Sequence, residues 1–168
     1  TVLSLVMAVP VALCAARNIC RIKAINVAAQ LVLVSSRSVN SLVWALVFVA
    51  MFGPGALAGT MAIAFRSIGF VGKLLAEALE ETSTGPVEAL VATGAPYPSI
   101  LSKAYWPQVA PAFWGIALFR WDINVRESAV LGLVGAGGIG VVLDDAMNFF
   151  QWERVATVLL AIFAVVLI

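Results

Sequence analysis

The sequence predicts an all-α, polytopic membrane protein of about five spans, and three observations carry that prediction. Of its 168 residues, 62% are hydrophobic and only 11% are charged, with a mean hydropathy of +1.05. Soluble domains hold roughly 45–50% apolar and about 25% charged residues, so a soluble chain of this make-up would have nothing to cover its surface with. The apolar residues come in long runs broken by glycine, proline and short charged stretches. The most polar and turn-rich length, residues 88–111 (EALVATGAPYPSILSKAYWPQVAP), lies between such runs and therefore at the end of a bundle. A net charge of +1 gives no general electrostatic capture of nucleic acid.

Residues 1–16 read as the tail of a first span. That run lacks a basic n-region and is not read as a signal peptide. The last run, VATVLLAIFAVVLI, also falls short of the ~20 apolar residues that cross a bilayer, so the chain is expected to continue beyond both ends. A basic turn with Arg17, Arg21 and Lys23 follows the first run. Cys14 and Cys20 flank it, and with no histidine in the chain to complete a zinc site they read as bystander thiols; no metal site is expected.

Residues 24–52 are apolar but interrupted by SSRSVN at 35–40. Each half is about eleven residues, roughly 16 Å as helix and too short to cross alone. One long, bent or locally polar element is expected. Gly53, Pro54 and Gly55 then mark a turn. Residues 56–81 begin apolar, carry Arg66 and Lys73, and end in KLLAEALEE, where Leu74, Leu75, Ala78 and Leu79 fall at helical spacing among Glu77, Glu80 and Glu81. This third helix should emerge from the membrane into the polar stretch. A fourth span is expected from about Pro107 into the 130s, followed by a glycine run at 132–140, an acidic loop with Asp144, Asp145 and Glu153, and a last span from near Val155.

Basic residues in short loops mark the cytoplasmic side. Counting spans puts the turn at 17–23 and the elbow flanked by Lys73 and Lys103 on one side, and the Gly53 turn and the acidic loop on the other. The basic loops coincide, so the elbow is assigned to the cytoplasm.

Within the elbow, residues 84–106, Gly85 is expected as helix N-cap, Pro86 as first helical residue and Glu88 as a carboxylate near the exposed N–H groups. Gly94 should end that helix, with Pro96 and Pro98 preventing its immediate resumption. A second short helix is expected near 99–105, leading to Pro107. Two short helices across a membrane face would make a knob suited to the cleft of a soluble partner.

The spacing Glu88-Ala89-Leu90, three residues, Gly94, nine residues, then Ala104-Tyr105-Trp106-Pro107 resembles the EAA motif of ABC importer permeases. Glu88, Ala89, Gly94 and Pro107 match; Leu90, Ala104 and Trp106 depart from it, and the two elbow prolines are unusual. Arg37-Ser38-Val39, Gly69-Phe70-Val71-Gly72-Lys73, Glu77-Ala78 and the segment from Asp122 to Gly140 look like the phosphonate-transport permeases, of the same broad fold as the methionine-importer permease. One departure is Asn40, where that family would place proline, which implies a softer break in the second span. The resemblance implies a single type I ABC importer transmembrane domain over residues 1–168. Its elbow would dock on an ATP-hydrolysing subunit through Gly85, Glu88, Ala89, Gly94 and Pro107. It also implies two such ATPase subunits holding ATP and Mg, a second permease copy as homodimer, an extracytoplasmic substrate-binding protein, and the bacterial cytoplasmic membrane. No cofactor is expected on this chain.

Charges inside a span are costly unless compensated, which singles out FRWDINVRES at 119–128. At 100° per residue Arg120, Asn124 and Glu127 share one face with Ser128 at its edge, while Asp122 and Arg126 form an i,i+4 pair opposite. Asp122 and Arg126 are expected as a structural ion pair. Arg120 and Asn124, with Arg66 and Arg37, are expected to line a polar path for an oxyanion, since a guanidinium offers a planar, permanent donor array; Glu127 would keep the anion from binding too tightly to leave. The alternative for each is a structural pair or a snorkelling side chain. Gly135, Gly137, Gly138 and Gly140 match a dinucleotide fingerprint, but no strand–helix unit surrounds them. They are expected to allow close packing and a re-entrant turn at the outer face, and the resemblance implies a gate nearby. With no histidine and no paired carboxylates at useful spacing, no catalytic residue is expected. The function expected is a permease subunit for phosphonate, phosphate or phosphite, the alternatives being a permease for another solute such as an amino acid or, more remotely, an intramembrane enzyme or channel.

Overall fold

A computed structural model describes residues 2–19, 22–132 and 134–167, and among these it shows helices and turns without strands. Cys20 and Arg21 of the basic turn lie outside the described residues. In chain order come α1 (Val2–Ala15), α2 (Lys23–Ser38), α3 (Ser41–Phe52), α4 (Ala56–Glu80), α5 (Thr84–Ala92), α6 (Tyr97–Ile100), a π-helical turn (Leu101–Tyr105), α7 (Trp106–Gly132), α8 (Ile139–Asn148) and α9 (Trp152–Leu167).

α4 is the central helix, packed against α1, α2, α3 and α7. It can be central because its buried side is mostly small: Ala58, Gly59, Ala62, Ala64, Ser67, Gly69, Gly72 and Ala76. Small residues let helix backbones approach where lipid provides no hydrophobic drive. At Gly69 an added Cβ would lie 2.8 Å from the Leu33 carbonyl oxygen of α2. Nearby, the Ser36 hydroxyl donates to the Phe65 carbonyl at 2.5 Å. A second fixing point is Asn26, whose side-chain amide donates to the buried Ala15 carbonyl at the C-terminal end of α1 at 2.5 Å.

α2 and α3 form the bent element expected over residues 24–52, but the break is sharp: the two helices turn through 96°. The softer break implied by Asn40 is thus corrected. Val39 is the C-cap of α2 and Asn40 the N-cap of α3, the Asn40 side-chain oxygen accepting from the Leu42 N–H at 3.2 Å, so an N-cap sets the new helix direction where a proline would otherwise do so. Among the described residues no single helix is long and apolar enough to cross a membrane, whereas this bent pair could by length and composition. α4 and α7, with 25 and 27 residues, reach roughly 38 and 40 Å; both carry charges along that length.

The two ends of the bundle are defined by contacts. At one end the turn after α1 meets the elbow: the Arg17 N–H donates to Glu80 Oε1 at 2.9 Å and the Tyr97 hydroxyl donates to the Ile19 carbonyl at 3.2 Å. At the other end the Gly53 turn meets the glycine run, with the Gly55 N–H donating to the Gly135 carbonyl at 2.9 Å. The expected acidic loop is corrected to a helix. Asp144 and Asp145 lie in α8, with Gly140 and Ala146 on its buried face, and Glu153 lies in the first turn of α9.

Candidate functional site

The elbow is built from α5, α6 and the π-helical turn. Its first helix begins two residues earlier than expected: Ser83 is the N-cap, and Gly85 and Pro86 lie inside the first turn. Gly85 is therefore not the cap, and Glu88 sits past N3. The end is as the sequence implies. Gly94 adopts φ +70°, the Gly94 N–H donates to Val91 at 3.0 Å and the Ala95 N–H to Leu90 at 3.1 Å, the paired bonds of a Schellman motif. Val87 and Leu90 pack inward on the core cluster of Ala12, Leu75, Leu79 and Ile100. Glu88, Ala89, Val91, Ala92 and Gly94 are exposed.

The second elbow helix is corrected too. Residues 97–105 are not a separate helix but run straight into α7 through the π-helical turn, where the Trp106 N–H donates to the Leu101 carbonyl five residues back. Pro107 and Pro111 lack the N–H groups that an α-helix would need there, and wider turns of this kind absorb such gaps. Gln108 repairs the same region, its amide nitrogen donating to the Ala104 carbonyl at 2.8 Å.

Further along α7 and α4 lies a buried ionic cluster. Arg120 is 1% exposed and Asn124 5%. Arg120 Nε donates to the Ser67 hydroxyl at 2.9 Å, and that hydroxyl donates to Asn124 Oδ1 at 3.1 Å. Arg120 Nη2 pairs with Glu127 Oε2 at 3.3 Å, and its guanidinium carbon lies 5.5 Å from the centre of the Phe70 ring. Glu127 Oε1 accepts from Arg66 Nη1 of α4. Arg66 Nε, although buried, has no hydrogen-bond partner among the described residues. Two guanidinium groups thus share one carboxylate, leaving the cluster with a surplus positive charge in surroundings where an uncompensated ion is costly. Arg37 does not join it: Arg37 is exposed in the last turn of α2, and among the described residues no hydrogen bond or ion pair links it to Arg66, Arg120 or Glu127. Asp122 and Arg126 pair at 2.5 Å on the other side of α7.

Sequence reasoning missed Ser67, the residue that ties Arg120 and Asn124 to α4. Its signal was its place on the small-residue face of α4, between Ala64 and Gly69. It also missed Gly132 and Gly59. A Cβ at Gly132 would overlap the Gly140 backbone, one at Gly140 the Ala129 carbonyl, and one at Gly59 the Ala136 carbonyl. Gly135, Gly137 and Gly138 share positive φ, at +77°, +77° and +82°. Of these, Gly137 is also crowded, with Ala56 N at 2.5 Å from an added Cβ, while Gly138 has open space. Among the described residues no group of His, Cys, Asp and Glu is placed to hold a metal ion.

A helical bundle with a buried ionic cluster between two long helices, joined at one end by an exposed short helix, has the architecture of an ABC importer transmembrane domain. It superposes on a chain of the inward-facing MetNI methionine ABC transporter with a TM-score of 0.83, over 98% of this chain and 81% of that one, at 22% identity. The chain belongs to the family of binding-protein-dependent transport system inner membrane components, whose model matches residues 5–168. It is 42% identical over 166 residues to the phosphite transport system permease protein PtxC of Stutzerimonas stutzeri, covering 99% of this chain and 60% of that protein. It is 40% identical over 166 residues to the phosphate-import permease protein PhnE of Mycolicibacterium smegmatis, covering 99% of this chain and 31% of that protein. The chain therefore spans less than two thirds of the length of these relatives. Membership of this family makes it a membrane component of a transport system.

Proposed function

We propose that this chain is the membrane-spanning permease part of an ABC importer for a phosphorus oxyanion: phosphonate, phosphate or phosphite. The observation that carries this reading is its likeness, over 99% of its length, to permeases named for phosphite and phosphate import. The surplus positive charge held between α4 and α7 supports it, since guanidinium groups suit the oxygens of such anions.

In this reading the cytoplasmic elbow sits in a groove of an ATPase subunit, with Glu88, Ala89 and Gly94 on the docking helix and Pro107 at the start of the span behind it. Two ATPase subunits carry ATP and Mg, a second permease copy completes the path as a homodimer, and an external binding protein delivers the anion at the bacterial cytoplasmic membrane. The elbow joins the ends of α4 and α7, so a push on it shifts one helix against the other. Those helices carry Arg66 and Ser67 on one side and Arg120, Asn124 and Glu127 on the other. ATP-driven movement of the elbow thereby reaches the ionic cluster between α4 and α7.

The test is uptake of radiolabelled phosphite, methylphosphonate and phosphate by proteoliposomes holding the full-length permease, its ATPase and its binding protein. ATP-dependent accumulation of at least one of them is expected. Accumulation of none, with an assembled and ATP-hydrolysing complex, would refute the cargo.

A further inference from the structure

The two arginines of the cluster are held in different ways. Arg120 is held at three points: Ser67 takes its Nε, Glu127 its Nη2, and the Phe70 ring lies beside its guanidinium. Its side chain is 2% exposed. Among the described residues Arg66 is tied to the cluster by Glu127 alone and its Nε has no partner, and its side chain is 29% exposed. The bonds also differ in what they cross. Arg120 and Glu127 are seven residues apart on α7, so their pair moves with that helix. The Arg66 pair runs from α4 to α7, so a slide of one on the other works directly against it.

We infer that Arg66 is the side chain that takes the anion, exchanging Glu127 for a phosphorus-centred oxyanion, and that Arg120 is a positioning residue that keeps Glu127 paired when Arg66 leaves. Without Arg120, the departure of Arg66 would strand a carboxylate with 15% side-chain exposure, a costly state. With it, Arg66 moves from one set of anionic oxygens to another and the orphaned Nε gains an acceptor. Glu127 competes with the anion for the same guanidinium and so sets how readily it is released. The sequence-based expectation placed Arg120 first in the path; the geometry reverses that order. This inference rests on the proposed cargo.

The experiment uses the full-length complex with its ATPase and binding protein, and phosphite, methylphosphonate or inorganic phosphate as the soluble probe. Arg66→Gln should raise the anion concentration for half-maximal transport by tenfold or more with the complex recovered in normal yield. Arg120→Gln should instead reduce the yield of assembled complex. Glu127→Gln should shift half-saturation the other way and slow turnover. Independently of transport, modification of the native Arg66 by phenylglyoxal, read by mass spectrometry of the complex, should be slowed by added anion. Wild-type half-saturation in Arg66→Gln would overturn the exchange while leaving the cargo standing. Modification of Arg66 at a rate indifferent to saturating anion would overturn the exchange as well. If the wild-type complex responds to none of the three anions, the cargo fails and the exchange with it.

Discussion

Ser83 and Gln108 hold each other across the base of the elbow: the Ser83 N–H and hydroxyl both donate to Gln108 Oε1 at 3.0 Å. Ser83 is the N-cap of α5 and Gln108 lies in the first turn of α7, so the start of the exposed helix is tied to the span beyond it. Gln108 also donates from its amide nitrogen to the Ala104 carbonyl in the π-helical turn. One side chain thus serves both the wide turn and the elbow's attachment.

Gln108→Ala removes these bonds at an exposed site where each contributes about 0.5–1.5 kcal/mol net. Amide hydrogens of α5 should exchange roughly tenfold faster, with those in the middle of α7 unchanged. Hydrogen-exchange mass spectrometry of the full-length complex reads this directly; unchanged α5 rates would remove Gln108 from the attachment.

Gly94→Ala tests the left-handed end of α5 separately from packing. An added Cβ meets open space there, so its cost is that of φ +70°, about 1–2 kcal/mol for a residue with a side chain. Asparagine tolerates this region better. Thermal melting should rank wild type above Gly94→Asn above Gly94→Ala, and ATPase co-purification should follow the same order.

Glycines elsewhere should split into two groups. Gly140→Ala and Gly59→Ala drive a methyl group into backbone, which cannot give way as a flexible side chain can. Each should cost several degrees of melting temperature or prevent assembly. Gly115→Ala on α7 meets open space and gains about 1 kcal/mol of helix propensity, so it should be neutral or stabilising.

Asp122 and Arg126 pair on a face of α7 where their side chains are 34% and 57% exposed. Removing one partner leaves a lone charge on a span, at a cost of about 2–3 kcal/mol; removing both leaves none. Asp122→Asn should therefore be more damaging than the double variant Asp122→Asn, Arg126→Gln, a coupling that a double-mutant cycle in melting temperature detects.

How much of this was legible depends on what each feature needs. α4 and α7 could be read because Gly53-Pro54-Gly55 and Gly94 are local punctuation and the runs between them are long. The Asp122–Arg126 pair and the shared face of Arg120, Asn124 and Glu127 follow from helical spacing alone. The bond from Arg66 to Glu127 joins residues 61 positions apart, and Ser67 acts across a helix contact, so neither has a local signature. α8 was read as a loop because ten residues between glycines and acidic side chains give a weak periodic signal. The start of α5 was misplaced because Gly85-Pro86 resembles a cap and first turn so closely that Ser83 was passed over. The sharp bend at Asn40 was underestimated because a capping side chain can turn a helix without proline.

The central claim is that this chain passes a phosphorus oxyanion under the power of a separate ATPase. It is tested most directly by ATP hydrolysis in the reconstituted full-length complex, with its binding protein, across a panel of phosphite, methylphosphonate, phosphate and amino acids. The account predicts stimulation by at least one of the phosphorus anions and by no amino acid. Stimulation by an amino acid and by none of the anions would contradict it.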